Sequence, residues 1–284
     1  MRPKLIAGLI ITGALLALPF PTASAQVLIW SLPKEDGTWV RLEGAYKQTR
    51  ARANAAAGDE MLEWRSELTI SSVGSETAEF SDKDSEAKDR TREVPCRWVE
   101  FKSVTRPNGL DKQVGPAETI VYKVLIPEEA VIGATADKDG IPVTFLPIVK
   151  GWRKVGQRDA EAVTEKALAV YPTISLVTYY PDLKPAADEA EQVPIGGETV
   201  AARLYRGSRV FKNPTSRSTN AAALWRSDDV PFGLARLQLT LTLEKKELAA
   251  SADEFKQASL IELEMAVVAT GTDARSELGE ADAK

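Results

Sequence analysis

Residues 234–244 read Leu-Ala-Arg-Leu-Gln-Leu-Thr-Leu-Thr-Leu-Glu. Ala235, Leu237, Leu239, Leu241 and Leu243 fall on one side of an extended chain; Arg236, Gln238, Thr240, Thr242 and Glu244 fall on the other. Successive side chains of a strand point to opposite faces, so this is a long strand with one buried and one wet face, the antiparallel pattern. Residues 62–74 repeat the alternation with Leu62, Trp64, Leu68 and Ile70 against Glu63, Arg65, Glu67 and Thr69. Residues 258–269 do so again, with Ile261, Leu263, Met265 and Val267 against Glu262 and Glu264.

Shorter strand candidates fill the intervals at 27–31, 38–47, 76–81, 96–104, 118–126, 141–146, 173–180, 198–206 and 208–212. Asp36-Gly37, Pro107-Asn108-Gly109, Gly115-Pro116, Asp139-Gly140, Gly196-Gly197 and Asn213-Pro214 separate them. The spacing suits hairpins and meanders. Without regular βαβ alternation, a parallel nucleotide-binding sheet is not expected. One helix is predicted over 159–171, where Ala160, Val163, Ala167, Val170 and Tyr171 form a stripe and Pro172 stops it. The fold class that follows is mainly β: a curved antiparallel sheet or unclosed β-barrel with one main helix.

The chain begins with a basic n-region, Arg2 and Lys4, an apolar run Leu5–Leu18, then Pro19, Pro21 and Ala23-Ser24-Ala25. Residues 1–25 read as a secretory signal cleaved before Gln26. The run is shorter than the ~20 residues that span a bilayer. The division is therefore 1–25 signal peptide, 26–270 a single antiparallel β domain and 271–284 a disordered acidic tail. The Asp/Lys/Glu/Arg-rich stretch 82–93 reads as a solvated hairpin tip or mobile loop, and 51–61 as a short helix or a loop.

Two of the 36 basic residues, Arg2 and Lys4, and none of the 41 acidic ones lie in the signal, so the 259 residues after it carry −7. That balance argues against a nucleic-acid partner. The basic residues Arg203, Arg206, Arg209 and Lys212 form a local cluster, read as a wet strand face or turn. The single cysteine, Cys96, cannot form an intrachain disulfide and lies among apolar strand residues as a buried thiol. A short signal without disulfides places the mature chain in a bacterial periplasm or outside the cell, without stable membrane insertion.

There is no histidine. Ser-His-Asp and Cys-His triads and nearly all catalytic zinc sites are thereby excluded, leaving carboxylates, Lys, Tyr, Ser and Thr. Asp137-Lys138-Asp139-Gly140 has Thr135 and Leu146 where a calcium loop needs acids at its first and twelfth positions, and reads as a β-turn. Asp228-Asp229 does not converge if extended, and reads as a polar loop. We read no metal ligands, no catalytic residues and no cofactor from the sequence.

The six tryptophans leave two readings open: large side chains filling a β core, or some of them lining a ligand cavity. On the second, Trp64, Trp98, Trp225 and Phe232 are the ligand-binding candidates, and the Gln238 face of the main strand is where a ligand would lie. Leu224-Trp225-Arg226-Ser227-Asp228-Asp229-Val230-Pro231-Phe232-Gly233-Leu234 leads into that strand. This element, with the general layout, resembles the LolA-like lipoprotein-carrier superfamily. The resemblance covers about ten residues, and the chain is longer than a simple carrier, with fewer helices. It implies an unclosed antiparallel barrel capped by helices, carrying acyl chains or other apolar ligands.

Three functions compete. The favoured one is an exported non-enzymatic binding protein for an apolar or lipid-like ligand inside a curved sheet. The others are a structural or protein-interaction domain of an exported complex, and a carboxylate-dependent glycoside hydrolase.

Overall fold

A computed structural model of the chain describes residues 29–52, 58–81, 91–107, 118–130, 146–164, 167–168, 180, 182–251 and 253–279. The proposed signal, the Asp137–Gly140 turn and most of the 82–93 stretch lie outside them. Fourteen strands follow one another among the described residues: β1 (Trp39–Arg50), β2 (Glu60–Ser81), β3 (Thr91–Pro107), β4 (Glu118–Pro127), β5 (Leu146–Pro147), β6 (Lys150–Val155), β7 (Glu161–Ala162), β8 (Ala167–Leu168), β9 (Lys184–Pro185), β10 (Glu191–Ile195), β11 (Glu198–Lys212), β12 (Ser216–Arg226), β13 (Leu234–Lys245) and β14 (Lys256–Gly271). All but β5 and β8 belong to one antiparallel sheet, in the order β10-β11-β12-β13-β14-β1-β2-β3-β4-β6-β7, with β9 beside β11. Two up-and-down meanders are thus joined by pairing β1 to β14, the first and last strands. The sheet does not close into a barrel.

A flat sheet would put β10 about three strand spacings, ~14 Å, from β13. Here β10 touches both β13 and β14, so the sheet folds over at that edge. A bulge between Arg41 and Leu42 leaves Val268 unpaired in β14, and the Val268 carbonyl faces the β10–β11 turn at Gly196. Bulges bend strands and increase twist in this way. A second irregularity lies in β2, where Val73 and Gly74 are left between Ser72 and Ser75.

The main strand is where its alternation places it. Leu237 and Leu239 are buried and Gln238 is half-exposed. The turn before it, Pro231–Gly233, holds Phe232 at φ 65° and Gly233 at φ 85°. Glycine takes that backbone without strain, and a Cβ at Gly233 would lie 2.9 Å from the Trp30 Cβ. Phe232 is strained for a non-glycine residue; its ring is fully buried, and its carbonyl accepts from the Trp30 N–H at 3.1 Å.

Three expectations are corrected. The helix over 159–171 is absent from its described residues. Glu161–Ala162 pairs with β6, Val163 N–H donates to the Gly151 carbonyl, and Ala167–Leu168 pairs with β5. The open edge of β6 offers this segment a hydrogen-bonding partner, while a 13-residue helix of mixed propensity is marginal alone. The acidic tail is ordered through Gly279 and lies across the sheet, with Leu278 fully buried. Residues 29–31 form no strand; Ile29 and Trp30 pack into the core as extended chain. Among the described residues no helix is long and apolar enough to cross a membrane.

Candidate ligand-binding face

Residues paired across an antiparallel ladder share a face, so the registers divide the sheet into cross-strand rows. On the face carrying the leucines of β13, Val40, Ile70 and Phe101 form one row and are all buried. Leu42, Leu68 and Ser103 form the next, also buried. Ile29, Trp30, Leu146, Ile148, Tyr180, Leu183 and Phe232 belong to the same core. The Trp30 ring lies 5.9 Å from that of Tyr205. Extended segments and turns, in place of helices, thus cover one end of this face.

Among the described residues, cover thins toward the other end. Leu239, Leu263, Tyr46 and Trp64 form a row in which the first two are buried and the two aromatics are half-exposed. Their rings meet edge to face at 5.1 Å, a favoured aromatic geometry. Leu241, Ile261, Gln48 and Leu62 follow, all half-exposed. Leu243, Ser259, Arg50 and Glu60 form the outermost row, with Arg50 exposed. Burial of Tyr46 pushes its hydroxyl above the usual tyrosine range, with Arg50 opposing. An apolar face that is sealed at one end and open at the other can hold an apolar guest by excluding water.

The opposite face is charged in the middle and covered at both sides. A shallow groove of about 620 Å³ crosses Gly44, with Glu43, Glu67, Arg65, Arg106 and Glu264 in its walls. Farther along the same face Trp98 stacks on Trp152 at 5.3 Å, with Val94, Cys96 and Leu125 beneath. The tail straps the β3–β4 part. Asp273 accepts from the Trp39 indole N–H at 2.8 Å, and Ala274 N–H donates to the Gly37 carbonyl at 3.0 Å. Glu100 accepts the Ser276 hydroxyl at 2.9 Å and the Glu277 and Leu278 N–H groups at 3.1 and 3.4 Å. Lys123 donates to the Leu278 carbonyl at 2.8 Å, while the Leu278 side chain packs with Val121 and Ala160. Burial raises the Glu100 carboxyl above its ordinary range despite those donors.

The four candidate residues do not converge. Trp64 alone lines the open end of the leucine face. Trp98 is on the other face, its indole N–H donating to Glu76 at 3.1 Å. Trp225 pairs with Arg236, on the Gln238 side of β13; it donates to Glu191 at 2.7 Å and lies under the Arg236 guanidinium. Phe232 is sealed in its turn. The open apolar surface is also on the leucine side of β13, not the Gln238 side. Tyr46, Leu62 and Ile261 were missed as lining residues; the signal available was their position in apolar alternation, which does not tell a filled face from an open one.

Cys96 is fully buried, and burial raises its thiol pKa. It is a poor nucleophile on both counts. Asp228 pairs with Arg226 at 3.1 Å in an exposed loop. Among the described residues no cluster of metal-ligating side chains occurs. No protein-family model and no curated protein matches the chain.

Proposed function

We propose that this is an exported, non-enzymatic binding protein that holds an apolar, lipid-like ligand on the open end of its leucine face. The observation that carries the reading is the graded burial along that face, from Phe101 and Leu68 to the half-exposed Tyr46, Trp64, Leu62 and Ile261. An antiparallel sheet that left this surface to water would forgo about 25 cal/mol for each Å² of apolar area; an acyl chain laid there recovers that term. Export rests on residues 1–25, and the carrier class on the resemblance at 224–234.

Native mass spectrometry of the exported protein, with titration of a fluorescent fatty acid, tests the proposal. Co-purified lipid, saturable probe binding and loss of at least tenfold in affinity in Trp64→Ala are expected. Absence of both lipid and probe binding in the folded chain overturns it and favours the protein-interaction reading. Unchanged affinity in Trp64→Ala moves the ligand away from this face.

A further inference from the structure

Among the described residues four large apolar side chains are strongly exposed: Met61, Val210, Phe211 and Leu248, at 77, 56, 43 and 75 %. They come from three separate stretches of sequence, yet they share one end of the sheet. Val210 pairs with Thr219, Thr219 with Thr242, Thr242 with Leu260, Leu260 with Thr49 and Thr49 with Met61. Val210 and Met61 are thus two ends of one cross-strand row. Phe211 is the next residue of β11, and Leu248 follows the end of β13. This is the end at which the leucine face is open.

The same rim is where positive charge collects. Arg209, Lys212 and Arg217 reach it from the β11–β12 hairpin, Arg217 being paired with Glu244 at 2.6 Å, and Lys245, Lys246 and Lys256 reach it from the adjoining ends of β13 and β14. Arg209 lies over the Phe211 ring at 4.4 Å. Lys212, Arg217 and Lys246 surround Phe255 at 5.8, 5.1 and 5.6 Å. A pocket of about 540 Å³ beside them is walled by Lys245, Lys246 and Lys256, with Glu247 and Glu254 also in its lining. Exposed aromatic and aliphatic tips among cations match the interface of an anionic bilayer, where apolar groups enter the acyl boundary and cations meet phosphate.

We propose that this rim docks the protein on an anionic membrane surface, with the open end of the leucine face turned toward the lipid. The inference rests on the ligand-binding reading for its purpose, but its test is separate. The full-length mature chain is sedimented with phosphatidylcholine vesicles and with vesicles containing phosphatidylglycerol. The expected result is at least fivefold more binding to the anionic vesicles, weakened by salt and lost by at least fivefold in Phe211→Ser/Leu248→Ser and in Lys212→Glu. These exposed substitutions leave fatty-acid binding in solution unchanged, whereas Trp64→Ala weakens the latter and spares vesicle binding. Hydrogen exchange on the wild-type chain supplies a readout without variants: amides of 209–213 gain protection with anionic vesicles. Equal binding to both vesicle types, retention of binding in the double variant, or unchanged exchange at 209–213 overturns the proposal. So does a concentration-dependent dimer that buries Phe211, which assigns the rim to a second copy.

Discussion

Replacing Leu278 by Ala tests whether the C-terminal strap is a distinct cooperative unit. The side chain is 1 % exposed and packs with Val121 and Ala160, on a segment otherwise held by Glu100 and Lys123. Removing three buried carbons at ~0.8 kcal/mol each costs about 2.4 kcal/mol. If residues 272–279 open without the sheet, that loss falls on the local opening equilibrium, a factor of about 50 at 1.4 kcal/mol per decade. Glu100 and Lys123 face one another across β3 and β4, so in the opened form they can pair with each other in water. That lowers the cost of opening. Native-state hydrogen exchange checks this: the Glu277 and Leu278 amides, which donate to Glu100, exchange about 50-fold faster, while amides of β13 keep their protection and the thermal midpoint barely moves. Equal acceleration in β13 would show that the strap opens only with the whole domain. Unchanged exchange at Leu278 would refute the burial argument itself.

Leu239 is 1 % exposed in the centre of the core and Gln238 is half-exposed, so Leu239→Asp abolishes the cooperative thermal transition while Gln238→Asp lowers the midpoint only slightly. Gly44→Ala places a Cβ 1.8 Å from the Glu264 carbonyl oxygen and 2.8 Å from the Met265 Cα. These are backbone atoms of the strand paired with β1, so urea denaturation should show a loss at or above the ~1–3 kcal/mol usual for overpacking. Glu100 has its pKa raised by burial above the ordinary 4.5, and the folded state therefore holds this proton to higher pH than the unfolded chain does. Its contribution to stability is complete below the ordinary value and is lost as pH rises through the raised one. Glu100→Gln removes that part of the pH dependence in thermal melts; an unchanged slope would assign it to another group.

Local chemistry carried much of this architecture. The alternation in 234–244, 62–74 and 258–269 specifies strands and their apolar faces, because a period of two needs no partner to be read. The strand Ser216–Arg226 was not legible: Asn220 and Ala221-Ala222-Ala223 have weak strand preference and show no apolar–polar alternation. It is a strand because β11 and β13 supply ladders on both sides. The 159–164 segment shows the converse, an apolar stripe of helical spacing overridden by the edge of β6. Small polar residues and carboxylates in 271–279 read as tail, yet Glu100 and Lys123 accept and donate the backbone bonds that order it. The placement of the four candidate aromatics was equally beyond local reading. Alternation assigns Trp64 and Trp98 to faces of their own strands, but which face is sealed, and where it opens, depends on the β1–β14 pairing and on segments distant in sequence. Side-chain period is a property of the strand; cover is a property of what the rest of the chain lays over it.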